Sequence, residues 1–283
     1  MPDAPRFSVT VPAYNAESTL AETVDSIRAQ TFPDWELVIC DDGSTDGTRA
    51  LAEHYAEADP RIRVISQANR GSGGAYNTAV RSARSDLIVM ISADDLLLPE
   101  HLERFDAFIA EHPEAAIFSS DGYYDYDDGT RVTAGLQHAW ADPSTCTLPD
   151  LFGACFFNMG AVYRAEVFET VGGFREDIYA EDYLFFLMAF AHSYRHAFLE
   201  VPLAVHRRTA AQKSSNAIGV RQTEAQSIRD VMATGLLSPT DYAAAEKAVR
   251  RINANIRVRR VLGAVLGPAR TTRLINRLKG RHA

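Results

Sequence analysis

Along the first hundred residues, short apolar runs alternate with segments whose apolar positions recur at helical spacing. Residues 7–12 (FSVTVP) are β-branched and apolar and predict a strand. Asn15 and Ser18 then offer helix caps, and Leu20, Val24 and Ile27 recur on one helical face. Residues 36–41 (ELVICD) and 62–66 predict further strands and 48–55 and 77–83 predict helices, before the continuously apolar strand 87–92 (LIVMIS). Apolar strands separated by helices indicate an α/β fold with a parallel sheet covered on both faces. Such sheets bind ligands beyond the carboxyl ends of their strands. The clusters Tyr14-Asn15, Asp41-Asp42 and Asp94-Asp95 all fall there.

The middle of the chain is less regular. Residues 115–120 and 122–127 predict short strands, with a turn at Asp128-Gly129. Residues 137–148 have little periodicity and read as a loop, and 161–163 as a strand. Gly172-Gly173-Phe174 marks a tight turn. Residues 181–191 then predict a helix opening on two acids, and 196–205 a strand. Beyond about Thr209 the pattern is helical, at 220–234, 239–256 and 271–279, giving two regions, 1–208 and 209–283. At helical spacing Val249, Ile252 and Ile256 share one face, and the following Val258, Val261, Leu262 and Val265 lie roughly opposite. This pattern suits two packed helices, or one clamped on both sides.

Composition adds bounds. With 283 residues, 46% hydrophobic and 23% charged, the chain is of ordinary globular type and long enough to bury a sizeable core. No apolar run approaches the ~20 residues of a membrane helix, and the first residues lack the pattern of a secretory signal. Cys40, Cys146 and Cys155 form no CxxC pair, which suits a reducing, cytoplasmic setting. The net charge of −8 is unevenly spread: from Lys247 onward there are eleven Lys or Arg and no acid. The acidic body is a poor nucleic-acid binder, whereas the basic tail suits phosphates or anionic lipid. Arg270, Arg273, Arg277 and Arg281 form a stripe beside Leu274 and Leu278, suited either to peripheral contact with an anionic membrane or to a solvated face.

Each polar cluster has two readings. Asp94-Asp95 suits a hard divalent ion completed by phosphate and water, or simply caps the next helix. Asp41-Asp42-Gly43-Ser44 suits a base or ribose contact, or plain turn chemistry. Tyr14 suits stacking on a planar base, or a place at the lip of the core. Glu181-Asp182 suits a general base, or acids favoured by a helix N-terminus. His206 with Arg207-Arg208 suits a diphosphate contact, or surface charge. The glycines of Asn69–Asn77 match neither the Rossmann nor the P-loop spacing.

The ordered set of segments resembles the inverting glycosyltransferases of family 2. The segments are VTVPAYNAESTLAETVDSIRAQTFPDWELVICDDGSTDGT (9–48), NRGSGGAYNTAVRSARSDLIVMISADDLLLPEHL (69–102) and VYRAEVFETVGGFREDIYAEDYLFFLMAF (162–190). The resemblance implies a GT-A fold, a Rossmann-like mostly parallel sheet with helices on both faces, followed here by a basic helical extension. It implies transfer of a sugar from a nucleoside diphosphate donor, a UDP-sugar foremost, to a hydroxyl of a glycan or lipid-linked acceptor in surface polysaccharide or glycolipid synthesis. A divalent metal, Mn²⁺ or Mg²⁺, assists.

By position, Pro12, Tyr14, Asp41 and Asp94 would lie at the donor, and Asp95 would be the principal metal ligand. Asp182 would be the general base beside Glu181, and Gly172 and Gly173 would shape the acceptor side. Three positions depart from the family pattern. Ser92 stands where a first carboxylate is common, Tyr76 where the A-R-N segment has arginine, and His206 is displaced from the usual Y-R-x-H. A non-catalytic nucleotide-sugar binder and a glycoside hydrolase are the competing expectations.

Overall fold

The computed structural model describes residues 4–135, 146–152, 160–178, 181–208 and 217–266. Cys155, most of the 137–148 loop, and the 271–279 helix with its arginine stripe lie outside them.

The predicted alternation is present. Strands β1 (Phe7–Ala13), β2 (Trp35–Asp41), β3 (Ile62–Ser66) and β4 (Leu87–Met90) alternate with helices α1 (Leu20–Arg28), α2 (Thr48–Ala58) and α3 (Gly71–Arg81). These four strands pair in parallel, in the order β3-β2-β1-β4. β5 (Leu96–Leu97), α4 (His101–Glu111), β6 (Ile117–Tyr126) and β7 (Arg131–Thr133) follow, then α5 (Leu148–Leu151), β8 (Val162–Arg164), α6 (Ala165–Val171), α7 (Glu181–Ala191) and β9 (His196–Arg208). The sheet continues as β8-β6-β9-β5, with β7 paired on β6. Here the pairing is mixed. β8 runs antiparallel to β4 and β6, β5 is antiparallel to β9, and β6 and β9 are parallel. The two short strands expected at 115–120 and 122–127 are one strand, β6, with an irregularity across Ser120–Gly122 that accounts for the break in pattern.

Two apolar layers cover the sheet. Leu87, Val89 and Ile91 point to the layer holding α1, α2 and α4, while Ile88 and Met90 point to the layer holding α6 and α7. That is the period-two alternation of a strand buried on both faces. At the amino-terminal end of the sheet, buried Glu36 is held by Ser8 Oγ (2.6 Å), Arg63 Nη2 (2.9 Å) and Arg84 Nε (2.8 Å). A buried carboxylate is tolerable when so paired.

Helix α7 is apolar almost all round and is the central helix of its layer. Phe174 stacks on its Phe185 at 4.4 Å, and Tyr163 lies 5.1 Å from the same ring. The extension beyond residue 209 contributes α8 (Ala217–Ala233) and α9 (Pro239–Leu266), whose Ile228, Val231, Ala245, Ala248, Ile252 and Ile256 join the same core as α7. Val258 and Val261 are 50% and 65% exposed, so α9 is packed along one face and not clamped on both. No helix among the described residues is long and apolar enough to cross a membrane.

Helix α3 begins six residues before the predicted 77–83, within the glycines. Glycine is a poor helix former, so local propensity hides this first turn. Tertiary contact explains it. A Cβ on Gly73 would stand 2.4 Å from the carbonyl oxygen of Arg175, so only glycine lets that backbone lie on the helix.

Candidate active site

The carboxyl ends of β1 and β2 adjoin, with Ala13 paired to Asp41 and the Asp42 N–H donating to the Ala13 carbonyl. Asn15, in the left-handed region at φ 49°, locks the following loop. Its Oδ1 accepts from Thr45 N–H (2.8 Å), and its own N–H donates to Ser44 Oγ (3.1 Å). Asp41 is buried and accepts from Ser44 N–H at 3.2 Å. Asp42 is equally buried and accepts from Arg70 N–H (2.9 Å) and Gln67 Nε2 (2.7 Å). Tyr14 stands at the rim, 51% exposed, and Pro12 beside it is half-buried. An exposed ring at adjoining strand ends that also carry two buried carboxylates offers a shelf on which a planar base can stack.

The end of β4 turns at Ser92, whose carbonyl accepts the Asp95 N–H at 3.2 Å. Asp94 is half-buried, but Asp95 is fully buried. Both oxygens of Asp95 lie 3.0 Å from His206 Nδ1, and Oδ1 also accepts the Arg207 N–H at 2.9 Å. Burial pushes the Asp95 carboxyl above its ordinary range; the His206 hydrogen bond opposes this, and the adjacent Asp94 charge adds to it. The position expected of the principal metal ligand thus holds a carboxylate already engaged by β9. The register explains why. Leu96 and Leu97 pair with Val205 and Ala204, so the next β9 residues, His206 and Arg207, fall opposite Asp95. Thr23 Oγ1 of α1 donates to the Asp95 carbonyl, and the Arg207 guanidinium bonds Glu22, which fixes the turn from the other side.

His206 therefore lies against the Asp94-Asp95 turn despite its displacement along the sequence. With Nδ1–H donated to Asp95, Nε2 is the remaining ring nitrogen and makes no hydrogen bond among the described residues. A histidine oriented by a buried carboxylate is the usual arrangement of a metal-binding imidazole. No group of three or more His, Cys, Asp or Glu side chains converges among the described residues. Asp94 and His206 would supply two hard or borderline donors, leaving the remaining positions to phosphate and water. That suits Mg²⁺ or Mn²⁺ on a substrate diphosphate.

Glu181 and Asp182 open α7, Glu181 buried and Asp182 half-buried, with Asp182 Oδ1 accepting the Tyr183 N–H at 2.8 Å. Tyr76 of α3 shows where they lie. Burial raises its hydroxyl pKa, interaction with the Ser92 side chain opposes this, and the charges of Glu181, Asp182 and Asp95 raise it further. The first turn of α7 and the end of β4 are therefore both near enough to act on the Tyr76 hydroxyl. The arginine position of the family pattern is thus filled by a buried phenol that packs 5.3 Å from Phe174.

Gly172 and Gly173 shape this wall. Gly172 ends α6 in the left-handed region, and Gly173 follows at φ 89°. Asn77 clasps the turn, accepting from Phe174 N–H (2.8 Å) and donating to the Phe174 carbonyl (2.9 Å). A Cβ on Gly173 would lie 2.6 Å from Asn77 Oδ1. Arg70 reinforces the clasp through Glu176, at 2.5 and 3.1 Å. The glycine-rich segment therefore docks the 172–177 turn.

Comparison with known proteins now places the chain. The glycosyl transferase family 2 profile matches residues 8–172, more than half of its length. The chain belongs to glycosyl transferase family 2. It is 37% identical over 176 residues to a chondroitin synthase of Escherichia coli, covering 62% of this chain and 25% of that protein. It is 32% identical over 177 residues to the putative glycosyltransferase EpsE of Bacillus subtilis, covering 62% of each. The chain thus spans less than two thirds of the length of these relatives.

Among solved structures, Staphylococcus aureus TarS 1-349 in complex with UDP-GlcNAc matches with TM-score 0.69 and 23% identity, over 87% of this chain and 71% of that one. The mannosyltransferase PcManGT from Pyrobaculum calidifontis, in complex with GDP-Man and Mn²⁺, matches with TM-score 0.66 and 22% identity, over 99% and 81%. These likenesses show the fold, which is of the GT-A type with a helical carboxyl-terminal part.

Proposed function

We propose that this family 2 chain is an inverting glycosyltransferase that moves a sugar from a nucleoside diphosphate donor, foremost a UDP-sugar, to a hydroxyl of a glycan or lipid-linked acceptor in surface polysaccharide synthesis. The observation that supports the reading is that the β1, β2 and β4 strand ends carrying Tyr14, Asp41 and the Asp94-Asp95 turn adjoin one another, with Glu181, Asp182 and Asp95 all acting on the Tyr76 hydroxyl. The bound nucleotide sugars named for the two solved structures, and the Mn²⁺ of one, support the donor class and the metal.

In this reading Tyr14 stacks on the base while Pro12 and Asp41 border it. Asp94 and His206 hold the divalent ion, and Asp95 acts behind them by fixing the imidazole. This differs from the expectation that Asp95 is the principal ligand, because both Asp95 oxygens face β9. A divalent ion held there would supply charge to offset that on the departing diphosphate. Asp182 accepts the proton as the acceptor oxygen bonds to the anomeric carbon and the bond to the diphosphate breaks. One attack from the face opposite the leaving group inverts that centre. Glu181 and the Gly172-Gly173 turn border the acceptor.

The test is Asp182→Asn, which keeps the shape and removes the proton acceptor. Transfer, measured as nucleotide release with acceptor present, is expected to fall by about 10²–10⁴-fold while UDP affinity with Mn²⁺ stays within about twofold. Transfer that survives within a few-fold would overturn the role of Asp182. No Mn²⁺-dependent affinity for any nucleoside diphosphate would overturn the donor reading.

A further inference from the structure

Helices α8 and α9 leave between them a groove of about 470 Å³. A helical hairpin ordinarily buries apolar residues along its seam. The buried part of this seam is apolar, but its open side carries Gln222, Gln226 and Arg229 from α8 and Asn253, Arg257 and Arg260 from α9, over a floor of Ala225 and Ile256. The positions recur at three- and four-residue spacing on both helices, so these side chains line one channel.

The charge balance there is one-sided. Arg257 and Arg260 pair with no carboxylate among the described residues. Among the described residues Arg229 bonds only the neutral Gln226 side chain, at 3.2 Å. The acids nearby already have cationic partners: Glu224 bonds Arg221 (2.6 Å), Asp230 meets Arg175 (3.4 Å), and Glu246 meets Arg250 (3.7 Å). Arg259, on the same turn of α9 though not itself lining the groove, is 8% exposed and among the described residues bonds only the neutral Asn255 Oδ1, at 2.9 Å. A cation that is nine-tenths buried without a carboxylate is costly and calls for a counter-charge. The sequence of the carboxyl-terminal segment supplies none, since residues 247–283 contain no Asp or Glu.

We propose that this groove binds a phosphate-bearing anion, a phosphomonoester or diphosphate, between Arg229 on one helix and Arg257 and Arg260 on the other. Guanidinium forks match phosphate oxygens in pairs, and Gln222, Gln226 and Asn253 supply neutral donors for the remaining oxygens. The apolar floor of Ala225 and Ile256 suits the organic part of an ester. The site is separate from the donor shelf at β1 and β2. α8 packs on α7, the helix that opens with Asp182, so a ligand held there is anchored to the element that carries the proposed base.

The experiment is calorimetric titration of the full chain with pyrophosphate in EDTA, for wild type, Arg257→Gln/Arg260→Gln and Tyr14→Ala. Wild type and Tyr14→Ala are expected to bind alike, and the double arginine variant at least about tenfold more weakly. Arg229→Gln, on the opposite helix, is expected to lose several-fold on its own. Both arginines of the double variant are exposed, so its thermal midpoint without ligand should match wild type. Equal affinity in wild type and the double variant, or loss only in Tyr14→Ala, would overturn the proposal. Dihexanoyl phosphatidic acid as a second probe distinguishes the sources: tighter binding than inorganic phosphate marks an ester carried on a larger molecule, and equal binding marks free phosphate. Failure here would leave Mn²⁺-dependent UDP binding intact, so the two readings fail separately.

Discussion

The β3-β2-β1-β4 half of the sheet and the β8-β6-β9-β5 half contribute to the cleft in different ways. The first half is parallel, its first three strands are each followed by a helix, and its polar residues sit at strand ends, as with Tyr14 after β1 and Asp41 closing β2. The second half is mixed, and its contribution depends on pairings far apart in sequence. His206 reaches the site because β9, paired on one side with β6 as far as Arg208, pairs on its other side with β5 at Ala204 and Val205, which brings the next residue to Asp95 across 111 positions. Local chain direction builds one side of the cleft, and strand register builds the other.

The sharpest way to break this comparison is to separate Asp94 from Asp95. Asp94→Ala should abolish most Mn²⁺-dependent UDP affinity while leaving the urea midpoint near wild type. Asp95→Ala should cost about 10–100-fold in that affinity, the usual effect of removing a carboxylate behind a metal-bound histidine. It should also lower stability by about 1–3 kcal/mol, because it strands the Arg207 N–H and His206 Nδ1. If Asp95→Ala loses affinity without losing stability, Asp95 faces the ion and the reading of β9 is wrong.

Packing of the extension gives the next contrast. Ile252→Ala should destabilise by about 2–5 kcal/mol, as for a buried large-to-small change. Val261→Ser, on the exposed face, should stay within about 0.5 kcal/mol. Equal costs in urea unfolding would mean that α9 is covered on both sides after all. Asn77→Ala should cost about 2 kcal/mol, since it removes both bonds to the Phe174 backbone. It should also raise the KM for acceptor more than that for donor, because it frees the turn on the acceptor side.

A smaller effect comes from two histidines in the mixed half. His101 donates Nδ1–H to the Leu203 carbonyl at 3.0 Å, and His196 Nε2 meets Ser119 Oγ at 2.7 Å. Burial pushes their pKa values down to about 4 and about 3. A depressed folded-state pKa means that the unfolded chain binds the protons first. The stability these neutral rings contribute is therefore complete above about pH 6.5 and is lost as pH falls toward 4. Each contributes a slope of up to about 1.4 kcal/mol per pH unit in that window. Urea titrations at pH 7 and pH 5 should show the fall, and His101→Gln should flatten it.

Several features of the site were legible in the sequence. The apolar runs of β1, β2 and β4 and the turn residues after them placed Pro12, Tyr14, Asp41, Asp94 and Asp95 at strand ends, where the structure has them. The limits of β3 and α7 match their expected ranges residue for residue, because each is bounded by a clear change of pattern. The start of α3 was hidden, since its glycines carry no helical signal until the 175–176 backbone is laid against them. The one-sided packing of α9 was hidden too, because a helix with apolar residues on opposite faces does not say which face is covered.

The sequence by itself determined the α/β class, the order of the first four strands and helices, and the residue types available for a nucleotide, a metal and a proton. Those follow from periodicity and from local turn chemistry, which act within a few residues. Only the tertiary structure decided which carboxylate faces what. Asp94 and Asp95 are neighbours of the same type, yet a single residue step along the turn leaves Asp94 half-buried and sends Asp95 into the hydrogen bonds of His206 and Arg207. That choice is made by the β5–β9 register, a contact between segments more than a hundred residues apart, and no local pattern encodes it.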